Sequence, residues 1–290
     1  MSEAGGKAGV ARTCAEMSIA LRLSIVIKPI FLVALFLPLL LLFNRTGSCE
    51  EMTNLLEEIK KIEFIVIRCD EQSADYFRYI EGRIPILISA PHGAKHYRKR
   101  DGEGYWKKED AYTSSLAIKL GQLTGAHVMY AKYKAGEDPN SDARSAYKDF
   151  LKKVVREHDI KFVVDLHGAC GSQPFKIDVG TVSDTPGESS CPTFRPIIRK
   201  AFQGFEEHVF NKHFAAGGCG TITSFARNEL GIEAAQFEIN ARYRVVESRS
   251  NPGLRASEQD VLDMVGRLER MILEVNESVR SCKSRVPACG

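Results

Sequence analysis

Short, nearly uninterrupted apolar runs alternate with helix-period stretches through most of this 290-residue chain, and that alternation limits the fold more than any other feature. Runs of strand length fall at 62–69, 84–90, 127–133, 161–166, 176–182 and 234–239. Helical periodicity falls at 110–123, 141–158, 194–213, 224–230 and 257–279. IPILISA and KFVVDLH are apolar for most of their length, as strands covered on both faces are. Strand following helix following strand predicts an α/β fold with a mostly parallel or mixed central sheet flanked by helices. No internal repeat or low-complexity linker interrupts the pattern, so residues 52–290 read as one domain.

Residues 1–51 stand apart. PIFLVALFLPLLLLF, at 29–43, carries no charge and follows Lys7, Arg12, Arg22 and Lys28. It is shorter than the ~20 residues a spanning helix needs, and extending it back to residue 19 takes in Arg22 and Lys28. Three readings stay open. The segment is a signal-peptide core, a marginal membrane anchor with contact through 19–43, or an over-extended start before Met52, which opens MTNLLEEIKK. A start at Met52 implies a cytoplasmic protein; the other two imply anchoring or export. The balance of 40 Lys and Arg against 37 Asp and Glu gives no electrostatic case for nucleic acid as a partner. The 8 cysteines include no C-x-x-C pair, which predicts mostly buried free thiols.

In open α/β sheets, ligands gather outside the carboxyl ends of the strands. The 84–90 run leads into Pro91-His92-Gly93, the 161–166 run into His167-Gly168, and the 234–239 run carries Gln236 and Glu238. Three strands therefore deliver His, His and Glu to one edge. Asp165 and His167 are two apart, so a strand points them to one face. Two imidazoles plus a carboxylate are the commonest catalytic zinc set. The carboxylate comes from Glu109 or Asp110, although an acid ahead of a helix also serves as an N-cap. HExxH, G-x-S-x-G and the P-loop pattern are all missing from the sequence. His208 and His213, with Glu206 and Glu207 nearby, read as a solvated helix face.

SAPHGA (89–94), the Asp110 helix opening, VDLHGA (164–169), GTITSFARNELGIEAAQFEIN (220–240) and ARYR (241–244) together resemble the N-formylglutamate amidohydrolase family over residues 84–250. The resemblance implies a phosphorylase/hydrolase-like fold related to the zinc carboxypeptidases and deacylases. It also implies one zinc per chain, held by His92, Asp110 and His167. Glu238 would then be the carboxylate that acts on water, and Asp165 would support the site. Asp138-Pro139-Asn140 resembles the family's Asp-x-Asn segment, which places Asn140 beside the substrate. Ser224 stands where the family often has arginine, so a substrate carboxylate falls to Lys134, Arg227, Arg242 or Arg244. The implied activity is hydrolysis of the amide of N-formylglutamate or a related N-acyl amino acid. Two rivals are a non-catalytic binding module of the same fold and a membrane-tethered zinc peptidase-like or structural protein.

Overall fold

The computed structural model describes residues 49–182, 194–218, 220–249 and 253–283. The chain divides into two units, Met1–Gly47 and Ser48–Gly290, and the described residues all lie in the second. The apolar segment at 19–43, with the anchor, export and start-site readings attached to it, lies outside the described residues. Among the described residues no helix is long and apolar enough to cross a membrane.

The chain begins with helix α1 (Cys49–Lys61), which runs into a π-helical turn at Ile62–Val66. Next come β1 (Arg68–Gln72), β2 (Phe77–Ile80), β3 (Ile84–Ala90), a hairpin of β4 (His96–Arg100) and β5 (Glu103–Lys107), and α2 (Thr113–Thr124). They are followed by β6 (Ala126–Ala131), β7 (Tyr133–Lys134), α3 (Ala146–Glu157), β8 (Phe162–Ala169) and β9 (Ile177–Gly180). The last elements are α4 (Arg195–Ala201), β10 (His208–Phe210), α5 (Ile222–Asn228), β11 (Glu233–Asn240), a 3-10 turn (Ala241–Tyr243) and α6 (Glu258–Lys283).

Seven strands form the central sheet in the order β10-β9-β11-β8-β3-β6-β2. Neighbours among β11, β8, β3 and β6 are parallel, while β9 and β2 flank them antiparallel. The mixed α/β sheet expected from the alternation is therefore present. Ile86, Ile88, Val164, Leu166, Phe237 and Ile239 share a buried core with α1, α2, α4 and α6. Leu87, Val163 and Ala234 pack on the other side, with Tyr147, Leu151 and Val154 of α3 and Ile222 and Phe225 of α5.

That second face changes character along the strands. Leu87 gives way to Ser89, Val163 to Asp165 and His167, and Ala234 to Gln236 and Glu238. The register aligns these steps. Val163 faces Leu87 and Ala234, Asp165 faces Ser89 and Gln236, and His167 faces Glu238. Alternation of side chains fixes this result: one face of three adjacent strands is oily at the amino end and polar at the carboxyl end.

Helix α2, which leads away from the site, has an unusual start. Its N-cap, Tyr112, sits at φ 70 with no side-chain cap, a left-handed conformation that costs a non-glycine residue roughly 1–2 kcal/mol. Buried Glu63 in the π-helical turn supplies the missing acceptor. One carboxylate oxygen takes the Tyr112 N–H at 3.1 Å and the other takes the Ser115 hydroxyl. The helix ends at Gly125, also left-handed (φ 79), as helix C-termini favour.

Three expectations need correction. The apolar run at 62–69 is not a strand; its first five residues continue α1 as the π-helical turn, and pairing starts only at Arg68. The long helix expected at 194–213 ends at Ala201, because Gly204 (φ 73) and Glu207 (φ 59) turn the backbone away from helix. His208 consequently lies in edge strand β10 rather than on a helix face. The helix expected at 141–158 starts at Ala146, where the Ser145 side chain accepts the Lys148 N–H at 3.2 Å.

Candidate metal centre

β3, β8 and the segment before α2 bring His92, His167 and Asp110 together, all buried. Gly93 allows the tight passage after β3: a Cβ there would lie 1.7 Å from Ser114 Oγ at the start of α2. Asp110 is held beside His92 by its own N–H, which bonds to His92 O at 2.8 Å. Its Oδ2 accepts the Gly168 N–H at 3.1 Å.

Both imidazoles present the same nitrogen to Asp110. His92 Nδ1 lies 3.6 Å from Asp110 Oδ2 and His167 Nδ1 lies 3.5 Å from it. The rings meet edge to face, with centroids 4.9 Å apart. Both outer nitrogens are held by other carboxylates, His92 Nε2 by Asp138 Oδ1 at 2.9 Å and His167 Nε2 by Asp165 Oδ2 at 3.2 Å. With Nε2 held outward, each ring turns Nδ1 inward toward Asp110, and buried His92 Nδ1 has no hydrogen-bond partner. Ligands at about 2.0–2.2 Å from a tetrahedral zinc stand about 3.3–3.6 Å from one another, the two spacings found from the imidazoles to Asp110. A histidine ligand whose other nitrogen is fixed by a carboxylate is the usual support for such a site.

The electrostatics match the geometry. Burial opposes charge on Asp110, yet the His167 and His92 imidazoles hold its carboxyl well below the usual range. Burial also pulls His167 down, but Asp165 and Asp110 outweigh it and push the imidazole up to about 10. Glu238, against His167 in the register, differs from Asp110: burial raises its pKa. Gln236, two residues earlier on the same face, donates to Glu238 Oε1 at 2.9 Å.

A second grouping, His92, His96 and Asp138, also lies close enough to suggest a metal. Its geometry is that of a hydrogen-bonded support instead. Asp138 Oδ1 accepts from His92 and from the N–H groups of Asn140 (3.1 Å) and Ser141 (3.0 Å), and Oδ2 accepts from Arg98 Nε at 2.5 Å. That guanidinium already meets the charge of the carboxylate. His96 stacks flat on His92 with centroids 3.9 Å apart, and burial pushes its pKa down to about 3.

Asp165 lies wholly buried behind His167, where its Oδ2 also takes the Thr223 hydroxyl at 3.3 Å. Its place is that of a support for the ligand, away from an incoming substrate. Asp110, not Glu109, faces the imidazoles, and its side chain does not cap α2. Asn140 spends its Oδ1 on the Ile222 N–H (2.7 Å) at the start of α5, so it braces that helix.

The four basic candidates separate. Lys134 lies over the Trp106 ring at 3.6 Å. Arg227 donates to Thr181 O (2.7 Å) and faces Glu233, which opens β11 at the end of the strand away from Glu238. Arg242 is exposed on the 3-10 turn. Arg244 alone is buried beside the ligands: Nη2 bonds to Ala169 O at 3.3 Å, Nε has no partner, and the guanidinium lies where a Cβ on Gly168 would be. Burial lowers its pKa, opposed by Asp110 and Glu238.

Sequence reasoning missed Asp138 as the support of His92, together with Arg98, His96 and Thr223. The one available signal was the Asp-x-Asn segment, which names Asp138 without assigning it a partner.

No family model matches the chain, and no curated protein matches it. Solved structures do. An N-formylglutamate amidohydrolase from Ralstonia eutropha JMP134 is similar at 11% identity and TM-score 0.46, over 71% of this chain and 98% of its own. A bacteriophage poly-gamma-glutamate hydrolase is similar at 15% identity and TM-score 0.41, over 71% and 92%. A metallo-carboxypeptidase from Pseudomonas aeruginosa is similar at 14% identity and TM-score 0.45, over 80% and 70%.

Proposed function

We propose that this protein is a zinc-dependent amidohydrolase of N-acyl amino acids, N-formylglutamate among them. One observation carries the reading: His92 and His167 both aim Nδ1 at Asp110 Oδ2 across 3.5–3.6 Å while Asp138 and Asp165 hold their outer nitrogens. Zinc bound by these three residues supplies Lewis acidity, which lowers the pKa of water from about 15.7 towards about 7.

The chain's own residues do the remainder. Glu238, raised by burial and braced by Gln236, accepts the attacking water's proton and passes it to the leaving amine nitrogen. Arg244, with its partnerless Nε, grips the substrate carboxylate and orients the amide. Asp138 and Asp165 keep the imidazoles in the tautomer that presents Nδ1. The reading supports a small-molecule partner.

The full chain, loaded with zinc, is to be assayed against N-formyl and N-acetyl amino acids by release of the free amine. Hydrolysis lost in Glu238→Gln with zinc content unchanged supports the reading. Full zinc content in His92→Ala or His167→Ala, or zinc-loaded protein that hydrolyses none of the amides, overturns it.

A further inference from the structure

The proposed chemistry uses one cation beside the ligands, Arg244, and the structure delivers a second. The β4–β5 hairpin is inserted between two of the ligand residues, His92 and Asp110, so its orientation is tied to the site. Residues alternate across its two faces. His96 stacks on His92 and Arg98 donates to Asp138, so that face points at the metal site. Cross-strand partners project to the same side of an antiparallel pair. His96 is paired with Lys107, and Arg98 with Tyr105. The opposite face holds Tyr97 and Trp106, which meet edge to face, with Lys134 over the Trp106 ring.

Lys107 is therefore presented on the ligand side, half-buried, three residues before Asp110. Among the described residues its side chain makes no hydrogen bond and no ion pair, unlike Lys95 with Asp70 or Lys119 with Glu58. Its charge reaches Asp110, Glu238 and His96. With a dication bound, Asp110 and Glu238 balance it, Asp138 is paired with Arg98, and buried Asp165 offsets one of the two remaining cations, Arg244 and Lys107, which leaves one surplus positive charge at the site. A half-buried ammonium with no partner beside a reaction centre calls for an anion from outside.

We infer that Lys107 is a specificity-determining residue that reads a second acidic group of the substrate, beyond the carboxylate taken by Arg244. This assignment rests on the amidohydrolase reading for its substrate. Its test uses pairs of amides that differ by one charge: N-acetylglutamate against N-acetylglutamine, and N-succinylalanine against N-butanoylalanine. Wild-type zinc-loaded full chain should favour the acidic member of at least one pair by roughly 10- to 100-fold in kcat/KM, the range of a charge-assisted hydrogen bond. Lys107→Met should bring that ratio close to one, and Lys107→Arg should restore most of it. Calorimetric binding of the same pairs to the Glu238→Gln protein reads the preference without turnover. A preference that survives in Lys107→Met, or none in either kinetics or binding, overturns the assignment. Charge-selective binding lost in Lys107→Met, with no hydrolysis by wild type, sinks the amidohydrolase reading and leaves Lys107 as an anion reader.

Discussion

Asp138→Asn isolates the support of the site from the ligands themselves. The carboxylate is wholly buried and receives four donors, with His92 Nε2, Asn140 N and Ser141 N on Oδ1 and Arg98 Nε on Oδ2. An amide has one oxygen and one NH2 group. Placing the oxygen at Oδ1 preserves three bonds but turns the NH2 group against Arg98, donor to donor. The flipped amide offends three donors, so the first orientation wins. The loss is then one charge-assisted bond, about 1.5–3 kcal/mol, with the other three weakened to neutral bonds. Arg98 is 23% exposed, and water recovers part of that cost, which puts the fall in folding stability at about 2–3 kcal/mol. Zinc affinity should fall about 10- to 100-fold, because the charge that orients His92 and strengthens its Nδ1 lone pair has gone. Competition with a chromophoric chelator measures the affinity, and urea unfolding measures the stability. Asp142→Asn is the control, since the Asp142 carboxylate accepts the Asp138 N–H at 2.9 Å and bonds neither imidazole. If Asp138→Asn binds zinc within roughly 2- to 3-fold of wild type while its stability falls, Asp138 braces a loop and does not tune a ligand.

Three further outcomes follow from the same geometry. Buried Lys148 ties the carbonyls of Asn140, Asp142 and Gly220 together, so Lys148→Met should lower stability by about 2–3 kcal/mol; unchanged urea unfolding would refute the tie. A Cβ at Gly168 would come within 2.2 Å of Arg244 Nη2, so Gly168→Ala should raise KM for N-acyl amino acids by about 10-fold through the displaced guanidinium, and an unchanged KM would remove Arg244 from carboxylate binding. Burial raises the pKa of Glu63 above its ordinary 4.5, so the folded protein keeps that proton to higher pH than the unfolded chain does. Its stability contribution is thus full below 4.5 and is lost as pH rises through the folded value, and Glu63→Gln should gain on wild type between pH 5 and pH 8 by roughly the linkage relation; parallel stability curves would refute it.

What the sequence discloses and what it hides divide along the range of the interactions. His92, His167 and Glu238 stand out as candidates in the sequence because a strand's apolar run and the rule of carboxyl ends are local facts, read at the ends of β3, β8 and β11. Asp165 was legible for the same reason, two residues from the ring it holds. Asp138 was not, since its partner His92 lies 46 residues away and its guanidinium 40 residues away. The hairpin that places Arg98 and Lys107 has no continuous apolar face, because one side of it is built to meet imidazole, carboxylate and water. Tyr112 shows the same limit in the backbone. Nothing local marks it for φ 70; its hydroxyl bonds the Glu247 backbone at 3.0 Å, and Glu63 receives its N–H across 49 residues. Left-handed strain at Tyr112 persists because these distant partners hold it from both sides, and the turn they hold carries Asp110 to the two imidazoles. The candidate triad of His92, His167 and Asp110 is thus written locally in two of its members and globally in the third. The run of sequence at 109–110 left two acids open for that reason, and only the packing of α1, its π-helical turn and α2 selects Asp110.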